Sequence, residues 1–309
     1  MVFICFRKEW DISLRLWGEQ SPWHSLRKHK ITSSNVATIC GLNPFKSEFE
    51  LWCEWTDKKQ DTFAGNQYTD LGQALEPVVA KWYGERHNVA VVEANALYQD
   101  EEYPFLLATP DYLLPDGSPL EIKTGSYRQS QKWESGKAPT EYLLQVQLQL
   151  RVLDKSEGML TAYLGDLEHL PEVPVRYNSE LFDLILERAQ GFMEKVIKDI
   201  PPDPRPSDHQ LLSRAMPRHE GEVLTLEGEK NESALIAINR LKTIHGLEKD
   251  LRAKLSAYED QRKGLENQIK LLLGTASTGI LLDGREINVK RVNVKEQMRK
   301  AYSFERLTY

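Results

Sequence analysis

Thr109-Pro110-Asp111, followed after nine residues by Glu121-Ile122-Lys123, sets two carboxylates and an ammonium at an interval that a β-hairpin can close. On a strand alternate side chains share a face, so Glu121 and Lys123 point together while Leu120 and Ile122 point into a core. Hydrolysis of a phosphodiester needs oxygen ligands for a hard cation, which stabilises charge on the phosphoryl oxygens, and a positioned group near the attacking water. Asp111 and Glu121 suit the first task, Lys123 the second. The pair shares a face only in one register: a hairpin centred on Asp116 opposes Asp111 to Glu121, whereas a two-residue Asp116-Gly117 loop opposes Asp111 to Ile122. An odd-length loop or a bulge is therefore predicted. Such a triplet also occurs on ordinary surface hairpins, so its surroundings matter. Upstream stands Gly72-x-x-x-Glu76, and downstream Tyr142-x-x-Gln145-x-Gln147-x-Gln149. Gln145 and Gln149, four apart, share a helix face from which they could fix a lysine, contact DNA or simply meet solvent.

These groups need elements to hold them. Leu71, Leu75, Val78, Val79, Trp82 and Tyr83 recur at helical spacing, which predicts an amphipathic helix over 72–87 that begins only a few residues before Pro77. Glu76 then falls in the first turn, where Pro77 is tolerated. β-rich runs follow at 89–98, 105–114 and 120–124, the last two forming the hairpin through Pro115-Asp116-Gly117-Ser118-Pro119. Residues 140–153 read as helix, 158–165 as strand and 179–199 as helix. The proline-rich stretch 201–206 reads as a stiff boundary, giving a core over 1–206 and a second unit over 207–309. In that unit 232–273 is one long helix or a helical hairpin, with Gly246 and Gly264 as possible breaks, and 280–294 holds two short strands around Asp283-Gly284. The fold class expected is α/β, or α+β, with a central mixed sheet flanked by helices and a C-terminal helical extension with a small hairpin.

The chain's 309 residues are 40% hydrophobic, enough for a sizeable core. No apolar run approaches the roughly 20 residues that span a bilayer, which places the protein in the cytoplasm, away from membranes. Cys5, Cys40 and Cys53 supply neither a disulfide framework nor a cysteine metal site and read as simple thiols. The formal charge of -6 excludes a globally basic coat, so DNA would be met by local patches. Residues 24–30, which include Lys28, and residues 285–309, with seven Arg or Lys against three Glu, are two such patches or else solvated faces.

GQALEP at 72–77, TPD at 109–111, EIK at 121–123 and YLLQVQLQ at 142–149 resemble the YqaJ-type viral recombinases, relatives of phage lambda exonuclease in the PD-(D/E)xK nuclease superfamily. Trp23-His24-Ser25-Leu26-Arg27, Ile31-Thr32-Ser33-Ser34, Gly41-Leu42-Asn43-Pro44-Phe45-Lys46-Ser47 and Phe49-Glu50-Leu51-Trp52 resemble that family's amino-terminal signature. The resemblance implies a PD-(D/E)xK core whose Mg²⁺, replaceable by Mn²⁺, is held by Asp111, Glu121 and the Ile122 carbonyl, with Glu76 as a further or water-mediated ligand. It implies that Lys123 orients or activates the attacking water, that Gln145 supports the lysine, and that Lys28, Thr109 and Gln149 are candidate DNA contacts. It also implies sequence-nonspecific 5′-to-3′ digestion of duplex DNA ends, often by a ring-shaped homotrimer, leaving a 3′ overhang for a single-strand annealing protein in a phage-infected or prophage-carrying bacterial cell. A 5′-terminal phosphate would be received by an Arg fork and a hydroxyl, which Arg27 and Ser34 offer; alternatively Ser33 or Ser34 caps a helix beginning near Asn35. Thr124-Gly125 replaces the Cys-Pro that some relatives carry after the lysine, and the C-terminal unit has no counterpart in lambda exonuclease. An endonuclease on the same core, or a non-catalytic DNA-end-binding scaffold, are the competing readings.

Overall fold

The computed structural model describes residues 26–27, 29–59, 65–165 and 170–289. The expectations on Lys28, on residues 23–25, on Cys5 and on the basic stretch 290–309 lie outside the described residues. The chain divides into two compact units, residues 1–217 and 218–309.

The first unit runs β1 (Ile31–Thr32), α1 (Val36–Ile39), α2 (Glu48–Trp55), α3 (Gln67–His87), β2 (Val92–Glu93), β3 (Tyr98–Gln99), β4 (Leu106–Ala108), β5 (Tyr112–Leu113), β6 (Pro119–Thr124), α4 (Thr140–Val152), β7 (Glu157–Tyr163), β8 (Glu172–Arg176), α5 (Ser179–Ile197) and α6 (His209–Ala215). Its central sheet has the order β2-β5-β6-β7-β8 and is mixed: β6 and β7 are parallel, the other pairs antiparallel. The parallel pair needs a crossover, and α4 supplies it. A smaller sheet, β1-β4-β3, pairs β1 with β4 in parallel.

Each of the runs 89–98 and 105–114, expected as a single strand, splits into two short strands that belong to different sheets. Pro110 has no N–H to continue a ladder, and Asn95 adopts a positive φ of 35°. The chain therefore steps from the small sheet to the central one at Pro110-Asp111. β8 was not expected at all. Its Val173 and Val175 are buried while Pro174 faces outward on the sheet's edge, where a missing donor is tolerated.

Helices cover both faces of the central sheet. Leu120 and Ile122 pack against Val79, Ala80 and Tyr83 of α3, while Leu160 and Ala162 pack against Val146 and Leu150 of α4. The remaining helices, the 3-10 turn Ser33–Asn35 and the small sheet enclose a further core around Phe49, Trp52, Leu106, Leu148 and Phe192. Cys53 is buried in this core, which pushes its thiol up to about 11.

The second unit contains α7 (Gly228–Leu273), one unbroken helix, followed by the hairpin of β9 (Thr278–Ile280) and β10 (Glu286–Asn288). Gly246 and Gly264 do not interrupt the helix. The division after Pro217 comes later than the Pro206 boundary expected from the proline run, because Leu211, Leu212, Ala215 and Met216 pack onto the first unit's core. Among the described residues no helix is long and apolar enough to cross a membrane.

Candidate active site

The hairpin that carries the carboxylates has the predicted odd loop. Leu114 N–H donates to the Ser118 carbonyl (2.9 Å), Gly117 N–H donates to the Leu114 carbonyl (2.8 Å), and Gly117 takes φ 79°, which favours glycine. Asp116 Oδ1 accepts from the Ser118 N–H at 2.9 Å and fixes the turn. Tyr112 then opposes Leu120 and Leu113 opposes Pro119, a register centred on Asp116 that sets Asp111 beside Glu121.

Glu121 is 1% exposed. α4 lies across the face of β6 on which Glu121 points. Its Oε1 accepts from Lys123 Nζ (2.5 Å) and from Gln145 Nε2, and its Oε2 accepts from Gln149 Nε2 (2.6 Å). The two amides, one helical turn apart, thus clamp a carboxylate. This changes two expectations. Gln145 bonds Glu121 rather than supporting Lys123 directly. Gln149, expected among DNA contacts, is fully buried and faces Glu121 instead. Gln147 lies on the opposite face of α4, bonding the Arg176 carbonyl (2.6 Å) and the Asn178 N–H (3.0 Å) to join β8 to α5.

Asp111 Oδ2 accepts from the Ile122 N–H at 2.8 Å. Leu120 and Ile122 turn their N–H and C=O groups to the same edge of β6, and pairing with β5 stops at Leu120, so the Ile122 carbonyl faces the opening beside Asp111. Burial, then the charge of Glu121 and that of Glu76, push the Asp111 carboxyl well above the usual range despite Lys123 and the Ile122 bond. Burial works against the Lys123 ammonium, but Glu121 and Asp111 outweigh it and the Lys123 pKa is raised. Lys123 Nζ also lies 5.2 Å from the centre of the Tyr142 ring, a contact the sequence reading did not assign.

Glu76 lies in the middle of α3, not its first turn. Asn66 starts the helix at Gln67 by accepting from the Tyr68 and Thr69 N–H groups in a capping box, which leaves Pro77 in the interior. The Gly72 signal has a steric cause: a Cβ there would stand 3.0 Å from Thr124 Oγ1, so glycine lets α3 approach β6 closely, one turn before Glu76.

The oxygen atoms that could serve a cation are those of Asp111, Glu121 and the Ile122 carbonyl, with Glu76 near enough to act on Asp111. Among the described residues no three His, Cys, Asp or Glu side chains converge as a ready metal cage. The oxygen donors and the excess of carboxylate over ammonium nevertheless fit a hard divalent cation.

Arg27 and Ser34 come together. An Arg27 guanidinium nitrogen lies 3.4 Å from Ser34 Oγ, which bonds Thr32 Oγ1 at 2.9 Å, and burial lowers the Arg27 pKa. Neither serine is a cap residue; those positions belong to Thr32 and Asn35. Because β1 and β4 run parallel, Ser33-Ser34 leaves the small sheet at the end where Thr109, half-buried, leads into Asp111.

Residues 22–156 match the YqaJ-like viral recombinase domain. The uncharacterized protein YqaJ of Bacillus subtilis (strain 168) is 28% identical over 269 residues, 85% of this chain and 81% of that protein. Among solved structures, an alkaline exonuclease (LHK-Exo) from Laribacter hongkongensis aligns with 22% identity and a TM-score of 0.49, over 58% of this chain and 93% of its own. A phage related exonuclease from Haemophilus somnus 129PT aligns with 18% identity and a TM-score of 0.42, over 55% and 96%. The carboxylate cluster, its glutamine clamp and the Arg27-Ser34 pair all fall within 22–156, the stretch that is similar to the YqaJ-like viral recombinase domain.

Proposed function

We propose that the first unit is a PD-(D/E)xK-type core and that this protein is a metal-dependent exonuclease acting on duplex DNA ends. One observation carries the reading: a buried glutamate, held by two glutamines and a lysine, stands beside a second carboxylate whose ionisation it opposes. Mutually repelling carboxylates destabilise a fold unless a cation neutralises them. Asp111, Glu121 and the Ile122 carbonyl would hold Mg²⁺, with Glu76 as a further or water-mediated ligand. Bound there, the ion would supply charge neutralisation at the phosphoryl oxygens and a more acidic water. Glu121 is fixed in place by Gln145 and Gln149. Lys123, held as an ammonium, donates to and orients the attacking water rather than taking its proton. Arg27 and Ser34 receive the 5′-terminal phosphate, which gives 5′-to-3′ polarity and a 3′ strand for an annealing protein.

The test uses linear duplexes with 5′-phosphate or 5′-hydroxyl ends and a covalently closed circle, each with Mg²⁺ or with a chelator. Loss of linear DNA alone, only with Mg²⁺ and faster from the phosphorylated end, is the expected result. Arg27→Ala should erase the preference between ends. Cleavage of the circle would make the protein an endonuclease, and no cleavage of either would leave an end-binding scaffold. An equal loss on both ends in Arg27→Ala would remove the phosphate pocket and the basis for polarity.

A further inference from the structure

α7 carries a seven-residue repeat from end to end. Stepping alternately by three and four residues from Ala234 gives Ala237, Leu241, Ile244, Glu248, Leu251, Leu255, Tyr258, Arg262, Leu265, Ile269 and Leu272. Every one of these positions except Glu248 and Arg262 is apolar. No residue of α7 is buried, and Leu251, Leu255, Tyr258 and Leu265 are 64%, 59%, 68% and 61% exposed. Gly246 and Gly264 lie off this stripe.

A straight helix of 3.6 residues per turn would let a strict seven-residue repeat drift by about 20° per heptad, or roughly 100° over this span. A flat docking surface would not follow such a stripe. A second helix that supercoils with it does, because knobs-into-holes packing keeps every third and fourth residue in the seam.

The two charged residues decide the partner and its direction. In a parallel pair of identical helices Glu248 would face Glu248, and Arg262 would face Arg262, inside the seam. Reversing one helix removes both clashes. With Leu255 set against Tyr258 of the second copy, Leu241 meets Leu272, Ile244 meets Ile269, Glu248 meets Leu265 and Leu251 meets Arg262. Glu248 then lies one layer, roughly 4.5 Å along the axis, from Arg262 of the second copy. The flanking positions agree, since Arg252 comes opposite Glu259 and His245 opposite Glu266. We propose that α7 is an antiparallel coiled-coil dimerisation element whose occupant is α7 of a second copy of this chain. The inference is independent of the chemistry of the first unit.

The full-length chain tests it, by light-scattering mass over a range of concentrations. The wild type should assemble in multiples of two chains of 35.6 kDa each, and Leu251→Asp with Leu255→Asp should halve that mass. These residues are exposed in the chain itself, so the melting of the first unit should not change. Glu248→Arg and Arg262→Glu singly each place like charges in neighbouring layers and should weaken association by about tenfold or more. The two together restore opposite charges and should return it to near wild type. A wild type that is monomeric throughout, or a mass unaffected by the aspartates, would mean that the seam is covered by another segment of the chain or by nothing, and would overturn the proposal. Failure of the double charge exchange to restore association would overturn the antiparallel arrangement.

Discussion

Glu121 is costly to bury, and its neighbours show how the cost is met. A hydrogen bond to a charged group contributes about 1.5–3 kcal/mol, and Glu121 receives three, two of them from α4. Gln149 has its amide N–H aimed at Glu121 and its oxygen left without a partner in the interior. That orphan is explained by the amide's geometry: only one end can face a carboxylate. Asp111 is the less stable member of the pair, so Asp111→Asn gives a direct prediction. The asparagine oxygen can still accept from the Ile122 N–H, but the repulsion with Glu121 and Glu76 is gone. Without metal the variant should melt at the wild-type temperature or a few degrees above it. Mg²⁺ should raise the wild-type melting temperature by preferential binding to the folded state and leave the variant nearly unchanged. Equal Mg²⁺ shifts in the two proteins would remove Asp111 from the metal site.

At the scale of elements, what positions the site is the meeting of β6 with α3 on one face and α4 on the other. Gly72 sets the first contact. Gly72→Ala improves helix propensity by about 1 kcal/mol, yet its Cβ would stand only 3.0 Å from Thr124 Oγ1 and press α3, with Glu76, away from β6. Cleavage should fall roughly three- to tenfold, since sub-ångström displacement of a catalytic group is already felt. Adding Thr124→Ala removes the colliding atom and should recover most of the loss. A double variant no better than the single one would place the effect elsewhere. The hairpin register, the helices 140–153 and 179–199 and the helical character of 232–273, though not its continuity, were legible in the sequence because turn chemistry and periodicity are local. Four features were not. The start of α3 depends on a cap at Asn66, beyond the apolar stripe. β8 is short and carries a proline. The split of 105–114 between two sheets, and the clamp of Gln145 and Gln149 on Glu121 rather than on Lys123 or DNA, depend on long-range packing that no window of sequence contains.

At the scale of the whole molecule, the proline run at 201–206 looks like a linker but is part of the first unit's surface. Arg205 reaches back to the carbonyls of Gly41 and Asn43, each at 2.6 Å, and Asp208, buried, accepts from the Arg205 N–H at 2.7 Å. α6 follows, with Leu211, Leu212 and Met216 against the core. A rigid stretch of prolines therefore delivers a helix to its packing site instead of separating two bodies. Two truncations distinguish these readings. Ending the chain after Pro217 should leave a folded monomeric unit with metal-dependent cleavage and a melting temperature close to that of the first unit in the full chain. Ending it after Pro206 removes Asp208 and four partly buried apolar side chains, a loss of roughly 2–4 kcal/mol, and should lower the melting temperature by roughly 5–15 °C for a unit of this size. If both truncates melt together, α6 is an ornament and the boundary belongs at the prolines. If the longer truncate folds but has lost all cleavage, the second unit contributes to the reaction itself, and assembly through α7 would be a condition of catalysis.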